Sequence, residues 1–222
     1  KLTEKLNTLN EFCLSHGMVI NEDKTKFMVI HGNASDKLPI RLGDVIVQWC
    51  SRYVYLGSVF TADGSTRSSL KEHVIDKQKH LNKLVIFLEK NRDMPFVVKR
   101  KVVEACFNAA ILYGCESWVD TDLKPIERLY NAAIKHLLGV RVTTPIDMCL
   151  SELGFIPLKA LVRHRQQIFF NKIFGEMRYK DEDPLAYALE ITRTRNVKLF
   201  NYISGVAQNC SYVSAARQAL HA

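Results

Sequence analysis

The chain has 222 residues, 47% hydrophobic and 24% charged, with six cysteines and a formal charge of +8. A chain this long buries roughly 70% of its unfolded surface and builds its own core, which excludes a disulfide-stapled miniprotein. The composition also excludes a mainly disordered or collagen-like chain. Its apolar runs, the longest from Ala105 to Cys115, fall short of the ~20 residues a bilayer span needs, so no membrane partner is expected.

The cysteines, at positions 13, 50, 106, 115, 149 and 210, are scattered and mostly in apolar surroundings. This predicts reduced, buried thiols in an intracellular protein of the nucleus or cytoplasm. Lys1 stands first and no signal peptide opens the chain, which suggests a fragment. Residues 1–70 carry 8 basic against 7 acidic side chains, residues 71–150 carry 13 against 10, and residues 151–222 carry 10 against 6. The positive excess lies in the later two thirds. It suits a polyanionic partner, and equally an ordinary wet surface rich in lysine.

Leu2, Leu6, Leu9 and Cys13 recur at helical spacing before Gly17, which predicts an amphipathic helix with a glycine stop. Met18-Val19-Ile20 and Phe27-Met28-Val29-Ile30 flank a polar stretch and predict two antiparallel strands joined by a charged loop. Ile40-Arg41-Leu42 and Val45-Ile46-Val47-Gln48-Trp49 predict a hairpin turning at Gly43-Asp44. Residues 53–60 read as one further strand, closed by the turn signal Asp63-Gly64.

From Ser65 the period becomes helical. One helix has an apolar stripe of Leu70, Val74, Leu81, Leu84, Val85 and Leu88 and an outer face read as basic and polar. A second starts near Pro95, runs through Val102, Val103, Cys106, Phe107, Ala110 and Ile111, and ends at Gly114. A third spans 123–138 with Gly139 as its cap. A fourth starts at Pro157 and carries Leu158, Leu161, Val162, Ile168, Phe169 and Ile173 inward. Further helices are expected near 184–190, 196–208 and 212–220. The fold class is therefore α+β, a small antiparallel β piece followed by a mainly α-helical bundle, with the change of class near residue 62.

Several chemistries lack their residues. No Asp-Asp pair is present to gather two metal ions. The acidic cluster Asp181-Glu182-Asp183 precedes Pro184 and suits a helix cap. His73 with His80, and Cys106 with Cys115, match no zinc spacing. Neither a Gly-x-Ser-x-Gly elbow nor a glycine-rich phosphate loop occurs.

The order of five short motifs is more informative. Gly17-Met18-Val19-Ile20-Asn21-Glu22-Asp23-Lys24-Thr25-Lys26, Tyr53-Val54-Tyr55-Leu56-Gly57, Ile111-Leu112-Tyr113-Gly114-Cys115-Glu116-Ser117-Trp118, Leu137-Leu138-Gly139 and Glu152-Leu153-Gly154-Phe155-Ile156-Pro157-Leu158 together resemble the later part of reverse transcriptases of non-LTR (LINE-type) retrotransposons. The resemblance implies a partial palm with primer-grip hairpin over 1–62, a thumb-like helical bundle over 63–142 and a helical C-terminal extension over 143–222. It further implies a template-primer partner, either RNA or an RNA–DNA duplex, together with an upstream polymerase region. The family's Ala-Asp-Asp box, which with another aspartate holds catalytic magnesium, would lie before Lys1. The chain is thus expected to grip nucleic acid and not, alone, to join nucleotides.

The resemblance also implies site residues. Lys24 becomes an accessory to pyrophosphate departure in the parent enzyme, and Tyr55, Leu56 and Gly57 become the primer grip. The helical cations Lys71, Lys77, Lys79, Lys83, Lys99, Arg100, Lys101, Lys159 and Arg163 become phosphate contacts, with Arg165, Lys172 and Arg178 extending them. Trp118 and Tyr113 are expected in the helical core. Plainer readings stand beside these: Lys24 as a solvated loop residue, the tyrosines as strand packing, and the cations as a wet helix face. Two alternatives from other classes are a non-catalytic helical scaffold or dimeriser and, more remotely, a hydrolase built on scattered histidines.

Overall fold

The structure, a computed structural model, describes residues 2–21, 23–42, 45–119, 121–177, 198 and 201–205. It is a mixed α+β chain that divides into two units, Lys1–Ser69 and Leu70–Ala222.

In the first unit α1, Leu2–Ser15, stops where Gly17 turns to a φ of +65°. Its apolar stripe is thinly covered: Leu6 packs against a small core of Phe27, Leu42 and Val47, whereas Leu2 and Leu9 stay exposed. Three short strands, β1 (Lys26–Phe27), β2 (Ile40–Leu42) and β3 (Val45–Trp49), form a sheet with β3 in the middle. β2 and β3 pair antiparallel with Leu42 opposite Val45, as their alternation predicts. The expected turn residues Gly43 and Asp44 lie outside the described residues.

The first expected hairpin is not formed. Met18-Val19-Ile20 is not a strand, and Val19 is 93% exposed. Its backbone is used locally, since the Met18 N–H donates to the Cys13 carbonyl at 2.8 Å and closes α1. The following loop folds on itself, with the Asn21 side chain accepting the Lys24 N–H and the Asn21 carbonyl accepting the Thr25 N–H, each at 2.9 Å. β1 instead pairs parallel with β3, Phe27 opposite Trp49.

The stretch expected as one strand over 53–60 is two. β4 (Arg52–Tyr55) and β5 (Ser58–Thr61) pair antiparallel around a two-residue turn, Leu56 at φ +48° and Gly57 at φ +82°. Two successive left-handed residues define the hairpin turn whose twist matches its strands. Leucine hides this from sequence, because a Cβ disfavours that conformation by about 1–2 kcal/mol. At the far end of β5, Asp63 accepts hydrogen bonds from the Thr61 hydroxyl (2.6 Å), the Ser65 N–H (3.0 Å) and the Ser68 hydroxyl (2.5 Å). These donors hold its carboxyl down at about 2. Gly64, at φ +63°, leaves no room for a side chain, since a Cβ would stand 2.7 Å from Ile30.

Ser65 then caps α2, Thr66–Lys90, through its hydroxyl and the Ser68 N–H at 3.4 Å. The helical unit continues with α3 (Phe96–Val102), a π-helical segment (Val103–Asn108), α4 (Ala109–Ile111), a 3₁₀ turn (Cys115–Ser117), α5 (Lys124–Leu138), α6 (Ile146–Leu153) and α7 (Leu158–Met177). Its core is one cluster drawn from every α-helix but α3. α5 supplies Ile126, Leu129, Tyr130, Ala133, Ile134 and Leu137, a stripe at i, i+3, i+4, i+7, i+8 and i+11. Each large aliphatic side chain buried there contributes about 1.5–3 kcal/mol, so α5 is the main internal support of this unit.

Four expectations are corrected here. The second helix is not uniformly α-helical. Its middle turn widens to bonds five residues back, which keeps Val103, Phe107 and Ile111 on one buried line and leaves Cys106 outside. α6 had not been expected. On α7 the buried line is Leu158, Val162, Gln166 and Phe170, while Ile168 and Phe169 face outward. On the same turn Arg165 and Gln166 reach the Leu112 and Cys115 carbonyls, both at 3.4 Å. Tyr113 is exposed, because the chain turns at Gly114 (φ +70°) and hands the core positions to Leu112 and Cys115.

The outer face of α2 carries exposed Ile75 and Ile86 among its polar residues. Among the described cysteines, all free, Cys115 and Cys149 are buried, Cys13 and Cys50 half-buried, and Cys106 exposed. Residue 198 and residues 201–205 are helical. The rest of the helices expected after 184, the acidic cluster 181–183, Arg178 and Cys210 lie outside the described residues. Among the described residues no helix is long and apolar enough to cross a membrane.

Candidate nucleic-acid interface

In the first unit the expected grip residues form the hairpin tip. Tyr55 is 59% and Leu56 75% exposed, and Gly57 completes the turn. Tyr53 and Tyr55, two apart on β4, share one face with Phe60, which lies opposite Tyr53. Together with Lys26, Met28, Ile30 and Cys50 they line a shallow groove of about 290 Å³, mostly apolar. Burial raises the Cys50 thiol's pKa, with Lys26 pulling the other way, so this thiol is a packing group.

Lys24 belongs to the same unit. Its side chain is exposed, and its carbonyl accepts a hydrogen bond from the Tyr53 hydroxyl at 3.0 Å. One tyrosine therefore ties the Lys24 loop to the hairpin. Sequence spacing gave no sign of this link across 29 residues.

In the helical unit the cations divide into two groups. Lys77 is turned toward the core side of α2, its side chain 14% exposed, and its ammonium donates to Asp76 at 3.1 Å. Lys79 donates to the other Asp76 oxygen at 2.7 Å. These two bonds hold the Asp76 carboxyl at about 2. Lys99 donates to the Arg92 carbonyl at 2.6 Å. Arg100 pairs with Glu104 at 3.0 Å and lies 4.9 Å over the Phe155 ring. These four heads are already engaged.

Lys71, Lys83, Lys101, Lys159 and Arg163 are exposed, and their heads take part in no hydrogen bond or ion pair among the described residues. Lys71, Lys79 and Lys83 fall within an arc of about 120° on α2. Lys159 and Arg163 stand one turn apart on α7. Arg165 is directed inward, as described above, and Lys172 is exposed.

Lys159 and Arg163 also border a cleft of about 510 Å³, with Trp118 and Gln166 in its lining and Lys124 and Tyr202 across from them in sequence. Lys124, at the start of α5, is a cation that sequence reasoning missed, because nothing in its spacing marks it. Trp118 is buried as expected. Its ring meets the edge of His73 at 5.2 Å, and His73 in turn hydrogen-bonds the Ile111 carbonyl through Nε2 at 3.0 Å.

Among the described residues no three His, Cys, Asp or Glu side chains converge as metal ligands.

The chain matches no protein-family model, no curated protein and no solved structure.

Proposed function

We propose that this chain is the template-primer-binding rear of a non-LTR retrotransposon reverse transcriptase, with residues 1–62 as partial palm, 63–142 as thumb and 143–222 as helical extension. The observation that carries the reading is the β4–β5 hairpin. Its tip offers Tyr55 and Leu56 to a partner, and the side-chain-free Gly57 lets another backbone come close. Tyr53 fastens it to the loop of Lys24. The open heads of Lys71, Lys83, Lys101, Lys159 and Arg163 supply sequence-independent affinity for phosphates. The sequence holds no Asp-Asp pair, so the reading assigns binding and not bond formation to these residues. Lys24 would assist a leaving pyrophosphate only beside metals held elsewhere.

Each neutralised phosphate contributes about 0.9 to the salt slope on duplex, so five contacts give a slope near 4 to 5. Anisotropy titration of a labelled RNA–DNA primer-template should therefore show affinity falling on the order of 10⁴-fold over a tenfold rise in salt. Undetectable binding at low salt, or affinity unchanged by salt, would refute the proposal.

A second reading, a helical scaffold module, draws on the exposed Leu2, Leu9, Phe12 and Leu14 of α1. Light scattering separates the two, because a self-assembling scaffold gains mass with concentration while ignoring duplex.

A further inference from the structure

The cleft beside α7 has a chemistry of its own. Lys159, Val162, Arg163 and Gln166 follow at i, i+3, i+4 and i+7, so one face of α7 forms one wall. Lys124 and Tyr202 contribute to the rest. None of the three cationic heads is in an ion pair among the described residues. Asp122 and Glu127 also line the cleft, so three cations face two carboxylates and the lining keeps a net positive charge; one Asp122 oxygen is further occupied by the Lys124 N–H at 3.1 Å at the start of α5. The surplus positive charge of this concavity favours an anion.

Two further features select the ligand. Gln166 is 2% exposed, and its amide N–H₂ reaches the Cys115 carbonyl only at 3.4 Å, longer than a good N–H···O bond. It is a buried donor, weakly held, at the edge of the space. Trp118, Val162 and Tyr202 give the cleft an apolar, aromatic portion. A volume of about 510 Å³ lies within the ~300–1,000 Å³ range of small-molecule sites.

We propose that this cleft binds a nucleoside monophosphate, its phosphate between Lys159, Arg163 and Lys124 and its base against the half-buried Tyr202, with the buried Trp118 beneath. Arginine and lysine one turn apart present a fork and a point charge to one phosphate. The aromatic portion accepts any base face. The nucleotide is either free or the 5′-phosphorylated end of a strand. The site is independent of the hairpin and of Lys71, Lys83 and Lys101, so it survives if the primer-template reading fails.

Isothermal titration of the full chain tests it with AMP, adenosine, inorganic phosphate, and an oligonucleotide with and without a 5′-phosphate. AMP or the 5′-phosphorylated strand should bind at least tenfold more tightly than adenosine or phosphate alone. Tighter AMP binding identifies a free nucleotide, and tighter binding of the phosphorylated strand identifies a strand end; both support the site. K159Q/R163Q, two exposed positions, should weaken binding at least tenfold, while K90Q, at the exposed end of α2 and outside the proposed contacts, leaves it unchanged. The proposal is overturned if adenosine binds as well as AMP, if no probe binds, or if K159Q/R163Q binds as the wild type does.

Discussion

His73 is 3% exposed on a helix whose neighbours in the core are leucines, and replacing it by phenylalanine isolates what its polarity does. The ring donates from Nε2 to the Ile111 carbonyl at 3.0 Å, at the end of α4, and packs against Trp118. Phenylalanine keeps the aromatic contact and removes the donor. The lost bond costs about 1 kcal/mol, and leaving a buried carbonyl unpartnered adds about 1–2 kcal/mol, so H73F should be destabilised by about 2–3 kcal/mol. At about 2–4 °C per kcal/mol for a unit of this size, the melting temperature should drop by about 4–12 °C.

The substitution also changes the pH profile. Burial lowers the His73 pKa below its ordinary 6.5, with Lys77 and His80 pushing the same way and the Ile111 bond and Asp76 opposing. The unfolded chain therefore binds the proton first. Stability is complete above about 6.5 and is lost as pH falls from there through the lowered folded value. Urea unfolding followed by far-UV circular dichroism at pH 7.5 and 5.5 reads both effects. The wild type should lose stability between these pH values, and H73F should lose less. An H73F protein as stable as the wild type at pH 7.5, with the same acid sensitivity, would refute this account of the α2–α4 contact.

Two further substitutions test the elements that carry the candidate sites. Leu56→Asn replaces a left-handed leucine by a residue that tolerates that conformation, so it should raise the stability of the first unit by about 0.5–1 kcal/mol in urea while weakening primer-template binding. Unchanged binding would show that the hairpin tip is no grip. Tyr130→Phe removes the hydroxyl that donates to the Ile156 carbonyl at 2.9 Å, and should cost about 1 kcal/mol in the same assay. Burial lifts that phenol's pKa to about 12, so the bond should persist unchanged up to pH 10.

Periodicity made the long helices legible. α1, α2, α5 and α7 carry apolar residues at helical spacing between glycine or proline boundaries, and Gly17, Gly114 and Gly139 all take the left-handed turn expected of stops. α6 carried a signal that spacing arguments could have used: Pro145 before it, Gly154 after it, and Cys149, Leu150 and Leu153 buried between. Short apolar runs were ambiguous. Met18-Val19-Ile20 and Phe27-Met28 look alike, and only the distant β3 decides which of them becomes a strand. Gly57 was the available sign of the β4–β5 turn, masked by leucine in the other turn position. The cations were the least legible part. Spacing places Lys77 on the helix, but only coordinates show its head spent on Asp76 and Lys71 and Lys83 left open. Sequence gives cation density, whereas binding depends on which heads are unengaged.

That division allows the most direct test of the central claim, which is that unpaired helical cations hold nucleic acid by its backbone. Primer-template affinity is measured against salt for the wild type, for K71Q/K83Q/K101Q and for K77Q. The triple variant should reduce the slope by about 2.7, near 0.9 for each open head, while K77Q keeps the wild-type slope. A triple variant with an unaltered slope, or a K77Q loss equal to that of any open lysine, would contradict the account.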